Sequence, residues 1–273
     1  MEGVKRSMKE KIPISDRQKQ YLQHQIIKKR TIQAVRVLML FVFLLAWELT
    51  SRHGIIDAFF FSSPTRLAEC FIFMVGENNL FSHIGISLYE TLLSFLFITA
   101  ISIGFASVLW RFEYVAKVLE PVLVILNSLP KSALAPLIIV WLGTGMKTII
   151  IAGISVALFG CIINLYTCFK NTDPDKQKLI YILGGKKHHV FTKVILPSGI
   201  PTIISNMKVN IGLALVGVMI GEFLAAKQGL GYLIIYASQV FKLDWLILCI
   251  LILCLIAIGL YEILHILERK ICR

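Results

Sequence analysis

The residues of this chain that could do chemistry are ionisable side chains set inside apolar runs. Glu90, Lys131, Lys208 and Glu222 stand in such runs, with Asn127, Asn164 and Asn210 as uncharged counterparts. In hydrocarbon a charge persists only where it pairs, faces water or serves a pathway, so these positions point to passage of a polar solute. Lys131 and Lys208 would offer an anionic solute a favourable field. Glu48 ends its apolar run, where it can reach the interface, and reads as structural. A second cluster, Lys186, Lys187, His188, His189 and Lys193, falls within eight positions. It suits a solvated basic face, an anionic lipid surface or an acidic protein partner. It does not suit a metal, because adjacent helical residues point about 100° apart and no third ligand lies near in sequence. No nucleophile, acid and base converge, so no catalytic residue is assigned and a membrane-embedded enzyme has no site here. Nor is there a Gly-x-x-x-x-Gly-Lys-Ser/Thr loop to cradle phosphates, so the chain is expected to hold no cofactor and no ATP of its own.

The elements that position these residues are membrane helices. Of 273 residues 57% are hydrophobic and 16% charged, against about a quarter charged in a soluble domain. Apolar stretches of membrane-spanning length recur at about 34–50, 84–110, 118–142, 148–169, 200–226 and 245–267. The reading is an all-α integral membrane protein of six transmembrane helices, flanked by a basic segment 1–33 and a tail 268–273. The polar start has no apolar signal core, so the first span is expected to remain in the mature chain. Pro130 and Pro136 fall in the third span. Each removes a backbone donor, so this span is expected to be broken and to face the protein interior. The six cysteines lack CxxC or metal spacing and read as small buried hydrophobes, with neither disulfides nor zinc.

The formal net charge of +12 is informative only once sorted by membrane side, which also removes the nucleic-acid reading. With the N-terminus inside, Lys and Arg number ten in residues 1–36, two in 110–117, six in 170–198 and three after 267, giving 21 on one side. The opposite loops hold five, Arg52, Arg66, Lys147, Lys227 and Lys242. The asymmetry predicts both termini in the cytoplasm. On that topology residues 170–199 form the longest cytoplasmic connection between spans. Leu179, Ile182 and Leu183 match helical spacing before the stop Gly184-Gly185. Val190, Phe191, Val194 and Ile195 make a second short apolar face, closed by Pro197. Two short amphipathic helices joined by a double glycine form a knob suited to a partner's groove.

Leu183-Gly184, nine residues, then Val194-Ile195-Leu196-Pro197 resembles the signature loop of permease subunits of binding-protein-dependent ABC importers. Ser63-Pro64-Thr65, the broken span with Trp141-Leu142-Gly143-Thr144-Gly145, and residues 217–234 with Glu222-Phe223 and Gly229-Leu230-Gly231-Tyr232 are similar to elements of the sulfonate, taurine and nitrate branch. The resemblance covers roughly residues 60 to 265. It departs at Lys178-Leu179-Ile180, where the family has Glu-Ala-Ala, and at Glu90 and Asn127, where it often has Arg.

The resemblance implies the type I ABC importer permease fold in a bacterial plasma membrane. It implies that the path works as a homodimer or pseudo-dimer, with two cytosolic ATPase subunits that bind and hydrolyse ATP and an extracytoplasmic solute-binding protein. Lys178, Leu183, Gly184, Gly185, Val194, Leu196 and Pro197 are the expected ATPase-coupling residues. Asn127, Pro130, Lys131 and Glu222 are candidates to line the path. The solute would be an aliphatic sulfonate, taurine, nitrate or similar small molecule. The alternative is a secondary transporter driven by an ion gradient, with Glu90 or Glu222 as a proton site, which leaves the knob unexplained.

Overall fold

The computed structural model describes residues 16–77 and 79–271, and every regular element among them is helical. Residues 1–15 of the basic lead and 272–273 of the tail lie outside the described residues. Five helices are long and apolar enough to cross a membrane, and a sixth span arises if one bent pair is counted as one.

The chain divides into two units at Thr65. In the first, α1 (Asp16–Arg52) contains the apolar stretch Arg30–Arg52. A short α2 (Ala58–Phe61) starts on Asp57, whose side chain accepts from the Phe59 N–H at 2.8 Å. Glu48 ties the following turn back to α1. Its carboxylate accepts from the Thr65 hydroxyl at 2.7 Å and the Thr65 N–H at 3.2 Å, and pairs with Arg52 at 2.6 Å. The Ser63-Pro64-Thr65 turn is therefore anchored where the sequence placed only an interfacial glutamate.

The second unit is built on three packed helices, α4 (Leu80–Arg111), α7 (Met146–Lys170) and α10 (Leu196–Ala225). They approach closely because small residues face each other. A Cβ on Gly217 would lie 2.8 Å from the Gly153 Cα, and one on Gly153 would lie 2.6 Å from the Ser94 hydroxyl. Where lipid removes most of the hydrophobic drive between helices, such close backbone packing is what holds them together. Around the seam the core includes Ile98, Ala157, Leu165, Phe169 and Ala214. Before it, α3 (Pro64–Glu77) is linked to α12 (Leu243–Ile271) by Arg66 and Asp244 at 2.6 Å.

The third span is two helices. α5 (Glu113–Ser128) and α6 (Lys131–Leu142) meet at 96° around Leu129 and Pro130. The break falls at Pro130, while Pro136 is carried inside α6.

Between α7 and α10 the chain makes α8 (Pro174–Ile182), the turn Leu183–Lys186, α9 (Lys187–Val190) and a π-helical turn, Phe191–Ile195. Here one expectation is corrected. The second short helix does not end at Pro197. Lys187–Ala225 is one helical run of 39 residues. In the π turn the Leu196 N–H donates to the Phe191 carbonyl, one residue beyond helical register. That widened turn admits Pro197, which has no N–H to give, at the first turn of α10. A further short helix, α11 (Leu230–Gln239), precedes α12 and packs on it.

Candidate functional site

Three constellations gather the residues singled out by sequence. The first is the knob between α7 and α10. α8 starts on Asp173, whose carboxylate accepts from the Asp175 N–H at 2.9 Å. It ends in a Schellman turn: the Gly185 N–H donates to the Ile180 carbonyl at 2.8 Å and the Gly184 N–H to the Tyr181 carbonyl at 3.0 Å. Gly184 sits at φ +80, a backbone that side chains resist. A Cβ on Gly185 would strike the Ile180 side chain and lie 2.7 Å from its carbonyl oxygen. Both glycines are thus required, one by conformation and one by proximity. Leu179, Ile182 and Leu183 are 55%, 81% and 73% exposed. Lys178 pairs with Asp175, at 3.3 Å on the surface.

Beyond the glycines the loop changes character. Val190 and Ile195 are buried, and Phe191 packs on Trp110 and Phe169 with ring centroids 5.3 and 5.7 Å apart. Val194 and Leu196 are half-buried, and Pro197 is exposed. Lys187 donates to the Arg111 carbonyl at 2.8 Å and lies over the Trp110 ring. His189 Nδ1 accepts from the Lys186 N–H at 3.0 Å, so this histidine caps α9.

The second constellation is the break in the third span. Lys131 turns back on α5, donating to the Leu126 carbonyl and, at 3.3 Å, to the Asn127 carbonyl. Its ammonium also lies 5.4 Å from the centre of the Phe159 ring. The lysine therefore satisfies carbonyls that the break frees. Asn127 and Pro130 are exposed, and Asn127 also abuts Gly160 of α7, where an added Cβ would come within 3.1 Å of its Oδ1. A polar, exposed break in an apolar helix is suited to water or to a facing subunit. Lys208, the other lysine in an apolar run, pairs with Glu268 and stands 3.5 Å from His265 Nδ1, so its charge is matched within the chain.

The third constellation is a buried polar knot where α4 begins and α10 ends. Glu222, 1% exposed, accepts from the Ser87 hydroxyl at 2.5 Å and the Gly231 N–H at 2.6 Å, and also from the Tyr232 N–H. Ser87 Oγ accepts from the Leu230 N–H at 2.8 Å, and His83 Nδ1 from the Gly229 N–H at 2.9 Å. Four consecutive amides opening α11 are thereby capped from α4 and α10. A Cβ on Gly229 would collide with the Glu222 carboxylate, and one on Gly231 would lie 2.8 Å from the Glu222 Cβ. The carboxyl of Glu90 lies beside that of Glu222 within hydrogen-bond reach. Sequence reading marked Glu222 and missed Ser87 and Gly231 as its partners, Gly229 packed against its carboxylate, and His83 as a further cap of the same turn. The only local signal was the Glu222 to Gly231 spacing, and Ser87 is 135 residues away from Glu222.

Residues 97–271 match the family described as the binding-protein-dependent transport system inner membrane component, well over half the chain. The chain belongs to that family. It is a multi-pass ABC importer permease subunit of the cell membrane, with the type I importer permease fold. The permease is 28% identical over 205 residues to the formylaminopyrimidine transport permease protein ThiX of Halalkalibacterium halodurans, covering 75% of this chain and 81% of the relative. It is 26% identical to the riboflavin transport system permease protein RibX of Chloroflexus aurantiacus, covering 88% of each. It is 23% identical to the taurine transport system permease protein TauC of Escherichia coli, covering 84% and 86%. Among solved structures, the MetNI methionine ABC transporter in inward-facing form aligns with TM-score 0.64 at 15% identity, over 71% of this chain and 96% of that one. A bacterial importer of the acidic polysaccharide alginate aligns with TM-score 0.66 at 14% identity, over 92% and 99%. At these identities the likeness is one of fold.

Proposed function

We propose that the permease carries a small polar solute across the membrane when two cytosolic ATPase subunits grip its knob and an extracytoplasmic binding protein delivers the solute. Both termini then lie in the cytoplasm, a placement the lysine and arginine asymmetry supports, and two permease copies face each other across the path. ATP is bound and hydrolysed by the partner subunits. The observation that carries this reading is the knob itself: an apolar edge at Leu179, Ile182 and Leu183, left exposed by its own fold and joined through Gly184 and Gly185 to a helix that runs on to Ala225. An exposed apolar edge on a rigid mount is what a partner's cleft would take.

Closure of the ATPase pair would push on α8. The push passes through the anchored Val190, Phe191 and Ile195 into α10, and from there to α4 and α7, which pack on it. The exposed break at Asn127 to Lys131 would line the path, with Pro130 holding it open. The binding protein of the alginate importer, seen in a complex with that transporter, supports a partner of this kind. Relatives named for taurine, formylaminopyrimidine and riboflavin support a small solute, and a sulfonate, nitrate or similar molecule remains within that class.

The test is Gly184→Asp in the permease assembled with its ATPase and binding protein. The expected outcome is an assembled complex whose ATP hydrolysis no longer responds to the loaded binding protein. Normal stimulation would reject the coupling role. Cross-linking from Lys186 should capture the ATPase subunit.

A further inference from the structure

Successive helical residues turn by about 100°, so on α8 Gln177 and Tyr181 share one side while Leu179, Ile182 and Leu183 take the other. The apolar side is the bare edge of the knob. The polar side lines a cavity of about 320 Å³, closed by the ends of α4 and α7 and the starts of α5 and α9. That volume falls within the usual range for small-molecule sites. Three lysines from three elements converge on it: Lys117 of α5, Lys170 in the last turn of α7 and Lys187 opening α9. Each is steered by a neighbour. Lys187, half-buried, lies over Trp110 while donating to the Arg111 carbonyl at 2.8 Å. Lys170 stands 5.6 Å from the centre of the buried Tyr166 ring, and Lys117 pairs with Glu113 at 2.9 Å. Glu113 is the one carboxylate among the lining residues, and the charges of Lys170 and Lys187 act on it as well. An ammonium carries three donors, so these partners leave every lysine with donors to give. Three cations gathered around one carboxylate repel one another and call for a further counter-charge.

We propose that this cavity binds a phosphate group carrying net negative charge. Lys117, Lys170 and Lys187 donate to its oxygens, and the Trp110 and Tyr166 rings hold two of the ammoniums in place. An occupant joins the knob to α5 and α7 from the side of α8 opposite its bare apolar edge. The cavity lies where α4 closes at Arg111 and α7 at Lys170, with Trp110 and Tyr166 in its wall, the level at which aromatic rings meet lipid headgroups. The same chemistry is offered by the headgroup of an anionic phospholipid and by a free phosphate ester.

Two arms, both using the full chain without its ATPase, separate these sources. In neutral phosphatidylcholine nanodiscs the permease is titrated calorimetrically with glycerol 3-phosphate, with glycerol as the phosphate-free match. In nanodiscs of equal parts phosphatidylglycerol and phosphatidylcholine, native mass spectrometry counts which lipid stays on the released chain. Binding of glycerol 3-phosphate alone supports a soluble source, and selective retention of phosphatidylglycerol supports a lipid. In whichever arm is positive, the double substitution Lys117→Gln/Lys170→Gln should weaken binding about tenfold or more, through lost charge-assisted hydrogen bonds. Lys176→Gln/Lys193→Gln removes the same charge from exposed lysines outside the cavity and should change binding about twofold or less. Two negative arms, binding that survives the first double substitution, or equal weakening by the second overturns the proposal. Glu113→Gln removes the competing carboxylate and should tighten binding severalfold. Should the Lys117→Gln/Lys170→Gln chain fail to fold, unchanged or weaker binding in Glu113→Gln overturns the proposal instead.

Discussion

The two ends of the helical run Lys187–Ala225 are finished in opposite ways. At the Glu222 end the amides that open α11 are met from within the chain: a carboxylate, a hydroxyl and an imidazole take four of them. At the α8 end the backbone is equally well tied, by the Gly184–Gly185 turn, yet Leu179, Ile182 and Leu183 stand bare beside it. A region that satisfies itself holds the molecule together. A region that is rigid and unsatisfied is shaped for something else. The contrast separates residues whose loss should unfold the permease from residues whose loss should leave it folded and silent.

The largest expected effect is on the self-satisfied end. Glu222→Ala leaves the Gly231 and Tyr232 amides without their acceptor and should cost about 3 kcal/mol or more of stability, read as a lowered melting midpoint in detergent. A midpoint unchanged by this substitution would erase the distinction between the two ends. Gly185→Ala comes next. Its Cβ collides with Ile180, so the knob should re-aim and ATP stimulation should fall severalfold, while the melting midpoint moves little because α8 contributes no buried side chain. Lys131→Met should be intermediate in stability, costing about 1–2 kcal/mol through carbonyls left unpaired at the break, measured by the same melt. Leu183→Ser should be near neutral for the isolated chain, within about 0.5 kcal/mol, and should weaken only co-purification with the ATPase. The smallest effect concerns Cys70 on α3. Burial, helped by the charge of Asp244, pushes its thiol up to about 11, so the thiolate is scarce at neutral pH. Maleimide labelling at pH 7 should leave Cys70 unmodified until the protein is unfolded.

What could be read from the sequence follows from how local each signal is. Six apolar stretches, the break at Pro130 and the stop at Gly184 rest on composition and neighbours within a few residues, and the structure carries helices, a bend and a turn there. The continuation of α9 into α10 was hidden. Pro197 reads as a boundary, and the π turn that admits it leaves no compositional mark. The polar knot was hidden for a different reason. Glu222 was visible as a carboxylate in an apolar run, but Ser87 and His83 lie more than 130 residues away, so its role as a cap could not be separated from a role in the path. Lys131 was marked for its charge, and the structure adds that its ammonium is turned onto the carbonyls of α5.

The π turn at Phe191–Ile195 bears on how motion could be relayed. A π turn is one surplus residue stored in a helix, and its presence sets the rotational phase between the segments on either side. Absorbing that surplus into regular α-helix would turn the Lys187–Val190 segment relative to Leu196–Ala225 by about 100°. Phe191, wedged between Trp110 and Phe169, acts as the detent that holds the present phase. The knob is joined to the membrane helix through this turn, and the aromatic wedge packs it in its present phase.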